Sequence, residues 1–229
     1  MIAFPVIAAL VSGIFAIQLF AQYARRKRLP QLAWAVAMTM YAIASLAVAA
    51  GVSGGWDPTL FRLYWLFGAL LNVPYLALGS VALLQRKPLV ALMLLLVLAA
   101  TLIAVVAVAS ASVHLPDHPG RNIPRGSRAW GEDAFVAKLA TYLSIPAYLI
   151  VVLIAFASGR GGKLPLSRIR GNWLIAAGAT VVAVGSSVAR YGRGSVFSVF
   201  LAAGVIVMFV GFRLASHAPR PSPATNDGS

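Results

Sequence analysis

Seven apolar stretches of about 20 residues, separated by short polar or basic turns, follow one another along the chain. Each is long enough to cross the roughly 30 Å hydrocarbon core of a bilayer as an α-helix. The pattern predicts an all-α integral membrane protein, a seven-transmembrane-helix bundle over residues 1–215, followed by a disordered cytoplasmic tail at 216–229. The predicted spans are about 2–23, 31–53, 58–84, 89–112, 134–158, 172–190 and 195–214.

The third stretch carries polar residues inside the crossing, together with a Pro74-Tyr75 step. At about 100° per residue, one broad helical face collects these polar residues with several small ones. Polar groups cost several kcal/mol in hydrocarbon unless they are paired, so we expect this face to look into the bundle, with the other helices around it. The fourth stretch is almost featureless and should face lipid on most sides. The predicted inward face of the third stretch is Arg62, Trp65, Ala69, Asn72, Leu76, Gly79 and Ser80.

Basic residues orient the predicted bundle. Cytoplasmic turns of membrane proteins are enriched in Lys and Arg, and the densest run here is 25–28, directly after the first stretch. With the N-terminus outside and the C-terminus inside, 12 of the 19 Lys and Arg fall on the cytoplasmic side and 7 on the other. Trp34 and Trp173 then lie at the inner interface, and Trp56, Trp65 and Trp130 at the outer one, as an aromatic belt requires. A short interfacial helix is expected around Trp130.

Composition excludes a soluble domain, because 60% of the residues are hydrophobic, only 10% are charged and the mean hydropathy is +0.86. A net charge of +14 could indicate nucleic acid as a partner, but the basic residues lie in short turns, so we expect the lipid bilayer as partner and no nucleic acid. The absence of cysteine excludes disulfides and thiolate chemistry. Abundant alanine and a large excess of Arg over Lys are typical of a bacterial protein, here in the plasma membrane.

Catalytic and ion-coupling residues are missing from the stretches. None contains Asp or Glu, which argues against ion-coupled transport through buried carboxylates. The seventh has no lysine, which excludes a retinal Schiff base. No phosphate-binding loop, zinc-protease or serine-hydrolase motif occurs, and all three histidines lie outside the stretches. We therefore expect a non-enzymatic protein without a cofactor.

Two candidate sites remain. An outward-open vestibule for an anionic or aromatic small molecule is predicted at Arg62, Trp65, Asn72, Tyr75, Lys138 and Tyr142. The alternative is that the two cations reach the outer interface and Asn72 hydrogen-bonds a neighbouring helix. A divalent metal site at His114, Asp117 and His118 is the second candidate, and the alternative is that these side chains are simply solvated.

Two classes of function follow. The first is a ligand-sensing or membrane-complex assembly module whose partner is another membrane protein or a second copy of the chain. The second is a facilitative carrier or channel for a small neutral or anionic solute. The turn Lys27-Arg28-Leu29-Pro30 before Trp34 is similar to Gly162-Lys163-Leu164-Pro165 before Trp173. This spacing resembles the 3+1+3 repeat arrangement of sugar transporters of the SWEET type, and it assigns no residue a role.

Overall fold

The computed structural model of the chain describes residues 2–115, 122–131, 135–160, 166–190 and 194–216. Regular structure in these residues is entirely helical, as predicted. The helix predicted as the sixth span begins at Leu166 instead of residue 172, and the predicted tail, apart from Ser216, lies outside the described residues. The helices are α1 Ala3–Arg26, α2 Leu29–Gly54, α3 Pro58–Ala82, α4 Lys87–Ser110, α5 Gly126–Trp130, α6 Phe135–Arg160, α7 Leu166–Arg190 and α8 Gly194–Ser216.

Six of these helices, α1, α2, α3, α4, α6 and α8, are long and apolar enough to cross a membrane. Helix α7 has 25 residues but is not among the six. Its described part carries Arg near its start and Gly, Ser and Thr through its middle, so it is the least apolar of the long helices. By the length and composition of its helices, the chain is a polytopic membrane protein.

Local sequence explains where helix α3 begins. Asp57 caps its N-terminus, and one carboxylate oxygen accepts hydrogen bonds from the backbone N–H of Thr59 at 2.7 Å and of Leu60 at 3.0 Å. Pro58 occupies the first helical position, where an N–H would have no helical partner in any case. The turn from α2 into α3 is therefore only three residues long, 55–57.

Helix α3 packs against α2, α4 and α6. Of its predicted inward face, Asn72, Leu76, Gly79 and Ser80 are buried and Arg62, Trp65 and Ala69 are half-buried. Leu70, Leu71 and Leu78, outside that face, are buried as well, so α3 is buried on more sides than predicted. Helix α4 is the opposite case. It buries little besides Val97, Ala100, Ala104 and Val108, and all its leucines except Leu94 are exposed, as expected for a helix that faces lipid on most sides.

Glycines bring helices α7 and α8 into backbone contact. A Cβ atom on Gly178 would collide with the Gly204 carbonyl and with Met208, and one on Gly204 would collide with Val182 and the Gly178 carbonyl. Gly211 lies in the same way against the Gly171 carbonyl. Small residues allow such close approach, which is how helices associate in lipid without a hydrophobic driving force.

The two ends of the bundle differ in chemistry. At one end lie the turn from α1 into α2 and the turn from α3 into α4. We call it the basic end, because these turns and the helix residues beside them hold Arg25, Arg26, Lys27, Arg28, Arg86 and Lys87. At the other end α2 ends and α3 begins, and Trp56, Trp65 and Trp130 lie there; we call it the aromatic end. Helix α6 also begins at this end, as shown by the hydrogen bond that the Trp65 indole N–H donates to the carbonyl of Val136, the second residue of α6.

Candidate functional site

Five aromatic side chains form a cluster at the aromatic end. Phe61 is fully buried at its centre, with ring centroids 5.4 Å from Trp130, 5.7 Å from Trp65, 6.2 Å from Trp56 and 6.2 Å from Tyr64. Tilted and edge-to-face pairs at these separations are favourable beyond the area that they bury. We call these five residues the outer aromatic cluster. It joins the start of α3 to the short helix α5.

Two glycines make room for the outer aromatic cluster. A Cβ atom on Gly51 of α2 would overlap the Trp56 ring, and one on Gly126, the first residue of α5, would overlap the Trp65 ring. The predicted interfacial helix around Trp130 is thus present, but its tryptophan is only 4% exposed. The prediction that Trp56 and Trp130 face the membrane interface as a belt is wrong, because both rings pack inside the protein.

Arg62 interacts with the end of another helix. Its Nη2 donates a hydrogen bond to the carbonyl of Ala111 at 3.0 Å, and Ala111 is the residue that caps the C-terminus of α4. The last carbonyls of a helix lack intrahelical donors and carry partial negative charge, so a cation there is favourable. Arg62 Nε, in contrast, is buried and has no hydrogen-bond partner.

Two further donors in the cluster are unpaired. The indole N–H groups of Trp56 and Trp130 are buried and have no hydrogen-bond partner. Each unpaired buried donor costs about 1–3 kcal/mol. With Arg62 Nε, three buried N–H groups at the aromatic end therefore lack an acceptor. In the described part of the chain, Asp57 is the only acidic residue, and its carboxylate caps α3.

Helix α3 changes its winding beyond the outer aromatic cluster. Residues Trp65–Leu71 form a π-helical turn, which holds more residues per turn than an α-helix. One extra residue rotates everything beyond it by about 100°. The continuous face predicted from Arg62 to Ser80 is therefore interrupted, and the outer and inner halves of α3 point their polar residues in different directions.

Two proline-containing helices meet at this turn. Ser144 Oγ on α6 donates a hydrogen bond of 2.8 Å to the carbonyl of Ala69. In an i to i+5 pattern the donor to Ala69 would be the nitrogen of Pro74, which carries no hydrogen. Ser144 lies two residues before Pro146, the proline inside α6. Its hydroxyl thus joins α6 to the π-helical turn of α3.

Asn72 and Tyr75 lie just past the π-helical turn. Asn72 is 3% exposed and its Nδ2 has no hydrogen-bond partner. The alternative to a ligand site was that Asn72 hydrogen-bonds a neighbouring helix. The Asn72 nitrogen donates no such bond. The Tyr75 hydroxyl lies 3.3 Å from Thr101 Oγ1, which itself donates to the Val97 carbonyl at 2.7 Å. Since a threonine hydroxyl has one proton, Tyr75 is the donor to Thr101.

The remaining predicted site residues are spread over other surfaces. Lys138 is exposed on α6, and Tyr142, one turn further on, is 67% exposed. The structure thus places Arg62 and Trp65 at the outer aromatic cluster, Asn72 and Tyr75 deeper in the bundle, and Lys138 and Tyr142 on the exposed side of α6. Whether these six residues bind a ligand stays a prediction.

The predicted metal site lies mostly outside the described residues, which include neither Asp117 nor His118. His114 is exposed, and its backbone N–H donates to the Ala129 carbonyl at 2.8 Å. Among the described residues no group of three His, Cys, Asp or Glu side chains could hold a metal ion. The metal hypothesis therefore stays untested.

Sequence reasoning missed the π-helical turn and the unpaired donors of the cluster. Pro74 was a signal for a weakened helix, but no residue type marks a π-helical turn. Gly51 and Gly126 were better signals, because a glycine near a tryptophan is often the space into which the ring fits. Comparison with known proteins finds no matching family model, no significantly similar curated protein and no significantly similar solved structure.

Proposed function

We propose that this protein is a non-enzymatic sensing module of a bacterial plasma membrane that binds an anionic small molecule at its aromatic end. The ligand would accept hydrogen bonds from Arg62 Nε and from the indole N–H groups of Trp56 and Trp130. Through these contacts it would join α3 to α5. A module of this kind transmits its state by assembling with another membrane protein or with a second copy of the chain.

The observation that carries this proposal is the set of three buried, unpaired donors at the aromatic end, on Trp56, Trp130 and Arg62. Elsewhere in the described part of the bundle, unpaired buried polar atoms occur singly, at Gln31, Ser45 and Asn72, and other polar side chains have partners on neighbouring helices. Trp34 Nε1 donates to the Leu76 carbonyl at 3.2 Å, and the Tyr41 hydroxyl donates to the Leu201 carbonyl at 2.8 Å. Because unmet donors in a low-dielectric interior are costly, an acceptor that fills them gains affinity. Three donors, one of them cationic, favour an anion.

A thermal-shift screen tests the proposal. Small carboxylates and phosphates are added to the purified chain in an uncharged detergent, and the melting temperature is measured. At least one anion should raise the melting temperature of the wild type. Trp130→Phe should lose most of this shift, because the variant keeps an aromatic ring but lacks the N–H donor. Arg62→Gln should lose it as well.

Arg128→Gln is the matched control, since Arg128 is an exposed arginine of α5 at the same end of the bundle. It should keep the full ligand-induced shift. The proposal fails if no anion stabilises the wild type, or if Arg128→Gln loses the shift as completely as Trp130→Phe does.

A second candidate function, a facilitative carrier for a small neutral or anionic solute, is supported by a different observation. Two helices with internal prolines, α3 and α6, touch where α3 is π-helical, through Ser144 and Ala69. Interrupted helices at the middle of the membrane are a feature of many carriers. Solute uptake into proteoliposomes separates the two functions, because a sensing module accumulates no solute.

We further propose that α7 also crosses the membrane, which brings the number of spans to seven. The N-terminus of the chain would then lie outside and its C-terminus in the cytoplasm. The glycine contacts along α7 and α8 support this proposal. Helices that approach to backbone contact over three turns share one environment, and α8 is one of the six apolar candidate spans.

A further inference from the structure

Six exposed cations lie at the basic end of the bundle. They belong to the two-residue turn from α1 into α2, to the four-residue turn from α3 into α4, and to the helix residues beside these turns. Among the described residues Asp57 is the only acid, and it lies at the aromatic end, so no carboxylate of the described chain neutralises this charge. We call these six residues the basic surface: Arg25, Arg26, Lys27, Arg28, Arg86 and Lys87.

Helix stability accounts for only part of this charge. Arg25 and Arg26 lie in the last turn of α1, where the carbonyls carry partial negative charge and a cation is favourable. Arg28 and Arg86, in contrast, are the N-cap residues of α2 and α4, and neither side chain caps its helix. A helix N-terminus carries partial positive charge, so an anion is favourable there and a cation is not. These two arginines therefore do not stabilise the helices that they precede.

Exposed leucines show how deep the turn from α3 into α4 lies. Leu84 comes two residues before Arg86 and is 44% exposed, and Leu89 comes two residues after Lys87 and is 42% exposed. Both helices are candidate membrane spans, so we expect these exposed leucines to face lipid tails. Arg86 and Lys87 then lie at the depth of the lipid headgroups. The turns of two and four residues are too short to extend far into water, which favours a lipid over a soluble acidic protein as the partner.

We propose that the basic surface binds the headgroups of anionic phospholipids in the leaflet at the basic end. Arg28 and Arg86 contact the phosphates, since the planar guanidinium group binds phosphate oxygens through two parallel hydrogen bonds. Clusters of Lys and Arg next to membrane-spanning helices attract anionic lipid, and the attraction falls off within a Debye length. This surface lies at the opposite end from the proposed ligand site, and the proposal does not depend on that site.

Lipid association in a bilayer tests the proposal. The full chain is reconstituted in phosphatidylcholine, and electron spin resonance measures how strongly it associates with spin-labelled phosphatidylglycerol and with phosphatidylcholine labelled at the same acyl position. At low salt the wild type should prefer phosphatidylglycerol about fivefold, the effect expected of one basic residue near an anionic surface. The preference should fall towards equality in about 1 M salt, where the Debye length is only about 3 Å.

The double variant Arg28→Gln, Arg86→Gln should reduce the preference to less than about twofold, because the two phosphate contacts are lost. Its melting temperature should stay constant or rise, since neither arginine stabilises its helix. The matched control is Arg125→Gln, Arg128→Gln, which removes two charges at the aromatic end, including the N-cap arginine of α5. The control should keep the preference of the wild type.

Equal losses in the two double variants would overturn the proposal, because the preference would then depend on net charge and not on the basic surface. An equal association of the wild type with both lipids would overturn it as well, as would a preference that 1 M salt leaves unchanged. If soluble polyglutamate binds the reconstituted wild type while phosphatidylglycerol is not preferred, the partner is an acidic protein and the lipid proposal is wrong. Should the Arg28→Gln, Arg86→Gln variant fail to fold, the two single variants decide, and each should lower the preference.

Discussion

Ser144 Oγ on α6 lies 2.8 Å from the carbonyl oxygen of Ala69 on α3, inside the π-helical turn and five residues before Pro74. The contact joins two helices that each contain a proline, and it does so at the π-helical turn of α3. A π-helical turn is less favourable than an α-helical one and persists where its surroundings support it. The hydroxyl of Ser144 is such a support.

Ser144→Ala should therefore destabilise the bundle by about 0.6 kcal/mol, the measured average for interhelical hydrogen bonds in membranes, and by no more than about 1.7 kcal/mol. The cause is a carbonyl left without its donor from α6. Ser110→Ala is the control, because Ser110 is exposed and its hydroxyl bonds only carbonyls of its own helix. Melting in detergent measures both variants. Equal melting temperatures for the two would show that the Ser144 contact contributes nothing.

Gly79→Ala tests the packing of α2 against α3. A Cβ atom on Gly79 would overlap the Trp34 ring, whose N–H donates to the Leu76 carbonyl. The ring would have to move and lose that bond, and overpacking of this kind costs about 1–3 kcal/mol. Gly13→Ala, on α1, provides the comparison, since a Cβ atom there meets nothing within 4 Å. Gly79→Ala should melt lower than the wild type and Gly13→Ala should not; a reversed order would contradict the packing described here.

The burial of the second half of α3 and the exposure of most of α4 could be predicted from sequence, because burial in a helix bundle follows from where polar residues recur. Thr101 alone interrupts the apolar middle of α4, while α3 carries Asn72 and Ser80. A helical period, however, assumes uniform winding. The π-helical turn breaks that assumption, so the face that seemed to join Arg62 to Asn72 was not continuous.

The aromatic residues show a second limit of sequence reasoning. Trp56 and Trp130 were assigned to the same end of the bundle, where the structure has both, because tryptophan prefers the depth of the interface. Depth alone does not distinguish a ring that faces lipid from one that faces protein. That choice depends on which neighbours leave space, and the space comes from Gly51 and Gly126, which are distant in sequence from each other.

For Asn72→Leu, the structure reverses the sign of the change in stability that the sequence predicts. If the amide were hydrogen-bonded to a neighbouring helix, its substitution would lower the stability of the bundle by about 1 kcal/mol. Asn72 is buried instead with its Nδ2 unpaired, so leucine, which has a similar size, removes an unmet donor. Replacement of such a group by an apolar one is nearly neutral or stabilising. The melting temperature should stay constant or rise; a clear fall would mean that the amide has a partner in the membrane.

Reporter fusions test whether α7 crosses the membrane. Fusions after Gln31, Pro88 and Arg220 should report the cytoplasm, and fusions after Gly55 and Gly126 the opposite side. These positions follow from the excess of basic residues in the turns of the basic end. A cytoplasmic report from the fusion after Gly126 would already contradict the topology.

The deciding fusion is the one after Arg193, between α7 and α8. If α7 spans the membrane, this fusion reports the side opposite to the cytoplasm, because α7 begins at the basic end, where Asn172 and Ala176 share a cleft with the ends of α3 and α6. If α7 lies on the membrane surface, the fusion reports the cytoplasm. The second result would also require the glycine contacts of Gly178 with Gly204 to form outside the hydrocarbon, where close approach of two helices is not favoured by the lipid. We expect the first result.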